Sequence, residues 1–463
     1  MPRKALGAGV GLGVALVAGA VALRRPEPHA LRGPRGATQG VASTAPAPSA
    51  TVSEAPATPA ERHPRCPASG LLHGPWSLRP TEHGALVRWD ACAETARELV
   101  VTPELGGAAR RFTAQHRRAL IRVKHAPEGV APDHPGERHL VEFTLDGLAP
   151  GTCYRYRLAS PSDHQENPKP AARSGDGGGG RVCTARAPGE GFVFLALGDT
   201  FVSRGATKRL WPHLLGSTTF GVRPDLTLHL GDMQYYDQTV ESHASWFPEI
   251  APLLELGALA PAVGNHELEL PHELDDYYLR LFADAARDGS GTRYRFSSGG
   301  IHFFSLDTEQ DLSPESPQGK WLEGELAVAA STPGHRASVV YFHKPWITLS
   351  GYPNLPELRR HYHAAFRRHG VRLVLQGHVH GYERFEEAGV TYVVSGGGGA
   401  ALHDLDVTVK ARADEASARR KHAKRHHGTL VRVREDAFEA RVVADDGSVL
   451  DDFRVPFASG PPR

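Results

Sequence analysis

The chain has 463 residues, more than one ordinary domain needs, so the length suggests two or three domains. Hydrophobic residues make up 40% of it and charged residues 23%, which is typical of a globular protein. The formal net charge of +1 creates no field that would attract a polyanion. This balance argues against dedicated nucleic-acid binding.

Residues 1–25 are typical of a targeting segment. Arg3 and Lys4 precede an apolar run, residues 5–23, that contains small-residue cleavage patterns. A cleaved signal peptide is favoured over an uncleaved membrane anchor because Gly and Ala contribute little to membrane insertion. Both interpretations place the remaining chain outside the cytoplasm, so we expect a secreted, periplasmic or cell-envelope protein.

Residues 26–66 are rich in Pro, Ala, Ser and Thr and have no hydrophobic period, which indicates a linker. Four cysteines, Cys66, Cys92, Cys153 and Cys183, precede the segment that carries the candidate site. An even number in an exported chain permits two disulfides with three connectivities. We favour Cys66–Cys92 and Cys153–Cys183 because these pairs close the shorter loops; buried free thiols are the alternative.

Residues 67–188 contain short segments of alternating apolar and polar residues, such as 85–89 and 140–145. A Pro-Gly turn at Pro150 and Gly151 leads into a Tyr-rich alternating stretch that begins at Cys153. This pattern predicts an all-β sandwich with a tyrosine corner.

From residue 189 to about 460 the pattern changes to continuous apolar runs separated by helix-like segments. Fully apolar strands that alternate with helices indicate an α/β fold. The predicted strands are 192–197, 226–230, 301–306, 338–342 and 371–375, and two later ones lie near 430–433 and 438–443.

Polar side chains that can bind metal follow four of these predicted strands and the short apolar pair Ala262-Val263. Ligands in open α/β sheets collect at the carboxyl ends of strands, so we expect these side chains to meet at one edge. Any one of them could be a turn residue, but five in order favour a metal site. The segments are Gly198-Asp199, Gly231-Asp232 with Tyr235, Gly264-Asn265-His266-Glu267, His343, and Gly377-His378 with His380.

The residue types indicate two metal ions of different character. Carboxylate and phenolate oxygens suit Fe³⁺, whereas imidazole and amide groups suit a divalent first-row metal. Two adjacent metals can bind the attacking and the leaving oxygen of a phosphoryl transfer and generate a metal-bound hydroxide that attacks phosphorus in line.

Four of the five motifs of the purple acid phosphatases resemble segments of this chain: Gly231-Asp232 with Tyr235, Gly264-Asn265-His266-Glu267, Val340 with His343, and Gly377-His378 with His380. The resemblance implies a layered α/β fold, a β-sandwich flanked by helices with a dinuclear site at strand carboxyl ends. Residues 67–188 resemble a fibronectin type III-like domain through their Pro-Gly turn and Tyr-rich strand, and a packing scaffold is favoured there over an adhesive or substrate-shaping module. By the resemblance to purple acid phosphatases, Asp199, Tyr235 and His380 hold Fe³⁺ and Asp232 bridges the metals. Asn265, His343 and His378 then hold the divalent ion, which is Fe²⁺, Zn²⁺ or Mn²⁺.

One departure from the family pattern concerns the first motif, Asp-x-Gly. This chain has Phe201 where the family has Gly, which puts the geometry of that loop in doubt. The wider metallophosphoesterase superfamily has a metal-binding His at the same position, and Phe201 cannot bind metal. Tyr235 would supply the missing ligand, which favours the purple acid type; the alternative for Tyr235 is a half-buried aromatic residue.

These residues predict acid phosphatase activity on phosphate monoesters. His266 adjoins the candidate ligand Asn265, and we expect it to protonate the leaving oxygen or bind phosphate, unless it only holds its loop. The first alternative is an exported phosphodiesterase with the same metals. The second, which the complete ligand set disfavours, is a non-catalytic surface-binding protein.

Three further features are expected to lie away from the chemistry. By the family resemblance, His361 and His363 could be additional histidines beside the metal ligands, but the solvated face of a helix is favoured. Lys410 to His427 is a basic run that could attract a polyanionic substrate, although an exposed helix or loop is favoured.

Overall fold

The computed structural model describes residues 69–92, 97–121, 136–159, 179–200, 205–215, 219–235, 243–283 and 291–457. The predicted targeting segment, the linker, Cys66 and Phe201 lie outside these ranges. Residues 62–463 belong to one compact unit, within which all of the described residues fall.

The described part of the chain forms strands β1 to β21 and helices α1 to α5. The strands are β1 Leu71–Leu78, β2 Ala85–Ala91, β3 Glu98–Pro103, β4 Arg110–Thr113, β5 Gln115–Ile121, β6 Gly136–Leu145, β7 Cys153–Leu158, β8 Gly179–Cys183, β9 Phe192–Leu197, β10 Leu226–His229, β11 Ala258–Pro261, β12 Tyr294–Ser298, β13 Ile301–Ser305, β14 Ala337–Phe342, β15 Val371–Gln376, β16 Tyr382–Glu387, β17 Val390–Ser395, β18 Arg419–Ala423, β19 His427–Val433, β20 Ala437–Ala444 and β21 Val449–Pro456. The helices are α1 Ala206–Leu214, α2 His243–Leu254, α3 Pro317–Ser331, α4 Pro356–Arg368 and α5 Ala413–Ala418, with a 3₁₀ turn at Asn265–Leu268 and a π-helical turn at Leu274–Leu279.

The amino-terminal strands form the predicted β-sandwich. Strands β1, β2, β6 and β5 make one face and β4, β3, β7 and β8 make the other. Their inward side chains, including Trp89, Phe143 and Tyr156, form one apolar cluster. The Tyr154 hydroxyl accepts a hydrogen bond from the Ala149 N–H at 2.8 Å, which is the contact expected of a tyrosine corner. The more specific resemblance to a fibronectin type III domain stays a prediction.

The larger part of the chain is a four-layered α/β structure, as predicted. Strands β9, β10 and β11 run parallel in one sheet, and β13, β14, β15 and β17 run parallel in a second sheet of seven strands. Phe194, Leu228 and Phe303 belong to the apolar layer between the sheets. Helices α1 and α2 cover the outer face of the first sheet, and α3 and α4 cover that of the second.

The two β-rich parts share a continuous sheet. Strand β1 pairs antiparallel with β2 and parallel with β11, so the order β21-β20-β19-β9-β10-β11-β1-β2-β6-β5 crosses the predicted boundary at residue 188. At this junction the fully buried Arg88 forms an ion pair with Glu142 at 2.5 Å. Its guanidinium also donates to the carbonyls of Leu281 and Ala283, which lie just after the π-helical turn. The sandwich therefore packs directly against a segment that follows the candidate site.

One predicted disulfide is present, between Cys153 in β7 and Cys183 in β8. Cys92 is also disulfide-bonded, but Cys66 lies outside the described residues, so the Cys66–Cys92 pairing stays a prediction. No helix among the described residues is long and apolar enough to span a membrane. The predicted amino-terminal anchor lies outside the described ranges.

Candidate metal centre

The candidate ligands come from the carboxyl ends of parallel strands in both sheets. Asp199, Asp232 and Asn265 follow β9, β10 and β11, which are neighbours in the ten-stranded sheet. His343 and His378 follow β14 and β15, which are neighbours in the seven-stranded sheet. Because both sheets end at the same edge of the apolar layer, the structure brings these side chains together.

Three of these residues have an unusual backbone conformation. Among the described residues, six non-glycine residues have positive φ, and three of the six are Asp199 (60°), Asp232 (53°) and His378 (67°). Such a conformation costs of the order of 1–3 kcal/mol per residue and persists only where the surroundings impose it. Each residue follows a glycine at a strand end, so the strain is concentrated where the side chains converge.

Two glycines permit the close approach of the loops. A Cβ atom at Gly264 would lie 2.2 Å from Oδ1 of Asp232 and 2.4 Å from its backbone nitrogen. A Cβ atom at Gly396 would lie 2.6 Å from Oδ2 of Asp199. Both distances are far below van der Waals contact, so neither position can carry a side chain without displacing a candidate ligand.

The first group of candidate ligands consists of Asp199, Tyr235 and His380. The Tyr235 hydroxyl lies 3.4 Å from Oδ1 of Asp199 and 3.4 Å from Nε2 of His380. His380 Nε2 also lies 3.4 Å from Oδ1 of Asp199. The three donor atoms thus form a nearly equilateral triangle, and all three residues are buried.

The second group surrounds the Nε2 atom of His343. This atom lies 3.1 Å from Oδ2 of Asp232, 3.1 Å from Oδ1 of Asn265 and 3.1 Å from Nδ1 of His378. Asp232 and His343 are fully buried, whereas Asn265 and His378 are partly exposed. The second group is therefore open to solvent on one side.

Backbone carbonyls fix which ring nitrogen of two histidines is available. Nδ1 of His343 lies 2.8 Å from the carbonyl of Leu230, and Nδ1 of His380 lies 2.7 Å from the carbonyl of Ala401. A carbonyl only accepts, so each Nδ1 carries a proton and each Nε2 faces the ligand group. This is the orientation that metal-binding histidines usually have.

The electrostatics of the cluster fit a cation. Burial lowers the pKa of His343, but the neighbouring carboxylates of Asp232 and Asp199 raise it to about 10. Burial and the charge of His343 lower the pKa of His378 to about 2 and keep that imidazole neutral. Burial and Asp199 raise the pKa of the Tyr235 hydroxyl well above 10.0, so its phenolate form needs a nearby cation. The donor set of carboxylate, phenol, amide and imidazole groups is one that iron and divalent first-row metals bind.

Glu267 has a role that the sequence did not reveal. Its buried carboxylate accepts hydrogen bonds from the backbone N–H groups of Asp232 (3.0 Å), Met233 (2.8 Å) and Gly264 (2.7 Å). It therefore ties the loop after β10 to the loop after β11. The sequence signal was its position in the motif after Asn265 and His266, but only the structure shows that it acts on the backbone of two loops.

His266 lies beside both ligand groups without belonging to either. Its ring centroid is 4.1 Å from that of Tyr235, and its Nε2 is 3.8 Å from Oδ2 of Asp232. Its Nδ1 lies 2.6 Å from Oε1 of Glu269, which fixes the ring. This partly exposed imidazole can reach a ligand bound at the open side.

The other histidines and the basic run lie away from this centre. On α4, His361 contacts Glu323 and His363 contacts the Tyr392 hydroxyl at 2.9 Å. The basic run is not only a helix and loop as expected, because it includes strand β18 at the edge of the seven-stranded sheet. There Arg419 forms ion pairs with Glu383 and Asp406, which offset part of its charge.

Residues 192–382 match the sequence model of the calcineurin-like phosphoesterase family. Purple acid phosphatase 15 of Arabidopsis thaliana is 27% identical over 308 residues, which cover 56% of this chain and 53% of the relative. A nucleotide pyrophosphatase/phosphodiesterase of Hordeum vulgare is 23% identical over 222 residues, 40% of this chain and 60% of the relative. The chain thus spans little more than half of the length of these curated relatives.

Two solved structures share the fold. The purple acid phosphatase from yellow lupin (Lupinus luteus) seeds superimposes with a TM-score of 0.66 at 18% identity, covering 82% of this chain and 74% of the lupin chain. The structure of PhoD gives a TM-score of 0.56 at 14% identity, covering 84% of this chain and 90% of that one. Residues 192–382 therefore resemble a calcineurin-like phosphoesterase domain, the chain has the metallophosphoesterase α/β fold, and the predicted resemblance to purple acid phosphatases is confirmed. This resemblance implies a dinuclear metal centre.

Proposed function

We propose that the protein hydrolyses phosphate monoesters at a pair of metal ions, as an acid phosphatase of the purple type. One observation carries the proposal: the candidate side chains divide into two groups of donor atoms, one centred on Tyr235 and one on Nε2 of His343. In this proposal Asp199, Tyr235 and His380 hold Fe³⁺. Asn265, His343 and His378 would hold Fe²⁺, Zn²⁺ or Mn²⁺, and the carboxylate of Asp232 would contribute to both ions.

The bound pair would supply a nucleophile derived from water and would polarise the phosphoryl oxygens. The protein's own part is to orient the side chains that would bind the metals and to exclude water from the site. The carbonyls of Leu230 and Ala401 orient two imidazoles, and Glu267 fixes the loops that carry Asp232 and Asn265. His266, fixed by Glu269, is placed to donate a proton from Nε2 to the leaving oxygen or to hydrogen-bond the phosphate.

The test is the visible absorption spectrum and metal content of purified, iron-replete protein beside a Tyr235→Phe variant. We expect two metal ions per chain and a tyrosinate-to-iron charge-transfer band that the variant lacks. The variant removes only the hydroxyl, so its fold should persist because the buried ring is retained. An iron-containing wild-type protein without such a band would refute the purple type and leave a general metallophosphoesterase.

Phosphodiester hydrolysis is a second candidate, favoured by the similarity to the Hordeum vulgare nucleotide pyrophosphatase/phosphodiesterase. The same ligand groups would serve both reactions, so the site does not separate them. Values of kcat/KM for p-nitrophenyl phosphate and bis(p-nitrophenyl) phosphate would separate the two reactions. A monoester value well above the diester value supports the monoesterase, and a monoester value below the diester value supports the diesterase.

We further propose that the chain is exported and acts in the periplasm, at the cell envelope or outside the cell, possessing either a cleaved signal or an amino-terminal anchor. The support is the charge and apolar pattern of residues 1–25 together with the Cys153–Cys183 disulfide, since disulfides persist in oxidising compartments. Cell fractionation followed by amino-terminal sequencing tests this. Intact protein in the cytoplasm would contradict it.

A further inference from the structure

A column of three aromatic rings leads from the candidate metal centre to the surface. The imidazole of His380 stacks on that of His403, with ring centroids 3.9 Å apart and an interplanar angle of 20°. His403 stacks in turn on Tyr352, at 4.0 Å and 15°. The rings of Tyr352 and His378 are perpendicular, with centroids 5.6 Å apart and an interplanar angle of 88°. Tyr352 thus contacts one candidate ligand directly and another through His403.

The two loops that supply this column are tied together by hydrogen bonds. The backbone N–H of Thr408 donates to the carbonyl of Leu349 at 3.0 Å, and the Thr408 hydroxyl donates to the same carbonyl. The Arg412 guanidinium donates to the carbonyl of Thr348 at 3.0 Å. His403 donates its own N–H to the carbonyl of His380 at 2.9 Å. Tyr352 is therefore held by rigid loops, as a recognition residue should be.

The outer end of the column is the flat ring of Tyr352. Nδ1 of His403 accepts the backbone N–H of His380 at 3.1 Å, which fixes the orientation of the His403 ring. Tyr352 is 40% exposed, and Val407, which packs beside Gly351 of the Tyr352 loop, is 61% exposed. The exposed face of a phenol ring suits stacking against another aromatic ring.

The surface lies on the open side of the centre. His378 is partly exposed and Tyr352 adjoins it there, whereas Asp199, Asp232 and His343 are fully buried. An ester whose phosphoryl group reaches the ligand groups must extend its leaving group towards this side. Among the described residues, Tyr352 is the one aromatic side chain in the group of exposed large apolar residues, and it adjoins His378 on this side.

We infer that Tyr352 is a specificity-determining residue that stacks against the leaving group, so that the preferred substrates are phosphate esters of aromatic alcohols. The inference rests on the proposed hydrolase function. His403 acts as a positioning residue that keeps the Tyr352 ring parallel to the column. A stacked pair of aromatic rings strengthens binding by about two- to tenfold beyond the contribution of the apolar area that it buries.

The test compares benzyl phosphate with cyclohexylmethyl phosphate, which release similar primary alcohols but differ in having a planar or a puckered ring. In Tyr352→Ala we expect kcat/KM for benzyl phosphate to fall about two- to tenfold more than for cyclohexylmethyl phosphate. Tyr352→Phe should keep the wild-type preference because it keeps the ring. Leu105→Ala, a truncation of a fully exposed apolar residue in the sandwich, is the matched control and should change neither value.

An equal fall for both esters, or no fall for either, would overturn the inference while leaving hydrolysis itself in place. A second readout does not depend on turnover: calorimetry of phenylphosphonate and cyclohexylphosphonate binding to the metal-loaded protein. The preference for phenylphosphonate should shrink by the same factor in Tyr352→Ala, and an unchanged preference overturns the inference. Wild-type protein that binds both phosphonates but hydrolyses neither ester would instead refute the proposed function.

Discussion

Replacing Gly264 with Ala should disrupt the candidate metal centre through one added methyl group. The backbone φ of Gly264 is −111°, a value that alanine adopts without strain, so the effect is purely steric. The new Cβ would lie 2.2 Å from Oδ1 of Asp232 and 2.4 Å from the Asp232 backbone nitrogen. Relief of these contacts requires a shift of about 1 Å between the loops after β10 and β11.

A shift of this size has two expected consequences. Overpacking of a tight site costs about 1–3 kcal/mol of unfolding free energy. A displacement of about 1 Å at reacting groups can lower catalysis about 100-fold, because Asp232 and Asn265 no longer share one ion in the right geometry. The matched control is Gly324→Ala in α3, where an added Cβ meets nothing within 4 Å and alanine favours the helix by up to about 1 kcal/mol.

The assays are metal content by mass spectrometry, the thermal unfolding midpoint, and kcat/KM for p-nitrophenyl phosphate. Gly264→Ala should bind fewer than two metals per chain and unfold at a lower temperature, while Gly324→Ala should keep both metals and unfold at the same or a higher temperature. A Gly264→Ala protein with full metal content and wild-type kcat/KM would show that these loops do not form the centre as described.

Three other predictions concern stability. Arg88→Ala should lower the free energy of unfolding by about 3 kcal/mol, since it leaves the buried carboxylate of Glu142 with a weaker set of partners; an unchanged urea midpoint would argue against this. Replacing Cys153 and Cys183, which are separated by 30 residues, with alanine should cost about 2–4 kcal/mol of unfolding free energy, and an unchanged urea midpoint would contradict this. Reduction of the wild-type protein should cost more than the double substitution, because it also breaks the disulfide of Cys92. Burial lowers the pKa of His302 from 6.5 to about 4. Between these two pH values the imidazole of His302 is protonated in the unfolded chain but neutral in the folded protein. Stability should therefore fall as the pH drops from 6.5 to about 4, by up to about 3 kcal/mol from this group, and urea titrations of His302→Leu should show a correspondingly shallower decline.

The fold class and the strand positions could be predicted from the sequence because they depend on local periodicity. The run 192–197 coincides with β9, and 371–375 lies within β15. Apolar runs of this length, buried on both faces, are typical of parallel strands between helices. Most of the candidate ligands were predictable for the same reason, because Asp199, Asp232, His343 and His378 come within three residues after such a run and the ends of parallel strands meet at one edge.

Contacts between loops distant in sequence could not be predicted. The three hydrogen bonds of Glu267 span two loops, and the stack of Tyr352 on His403 joins residues 51 positions apart in the chain. No periodic pattern encodes such contacts, because the loops are irregular and their approach is set by the sheets that carry them. The continuous sheet through β1 and β11 is likewise a matter of pairing between strands far apart in the chain.

The sequence by itself determined which residues can bind metal, since that depends on side-chain chemistry and on position after a strand. Only the tertiary structure decided how those residues divide into two groups, which nitrogen of His343 and His380 faces inwards, and which aromatic ring lies at the open side. These features depend on distances of 3–4 Å between different strands' ends, and such distances arise only when both sheets pack on their common apolar layer.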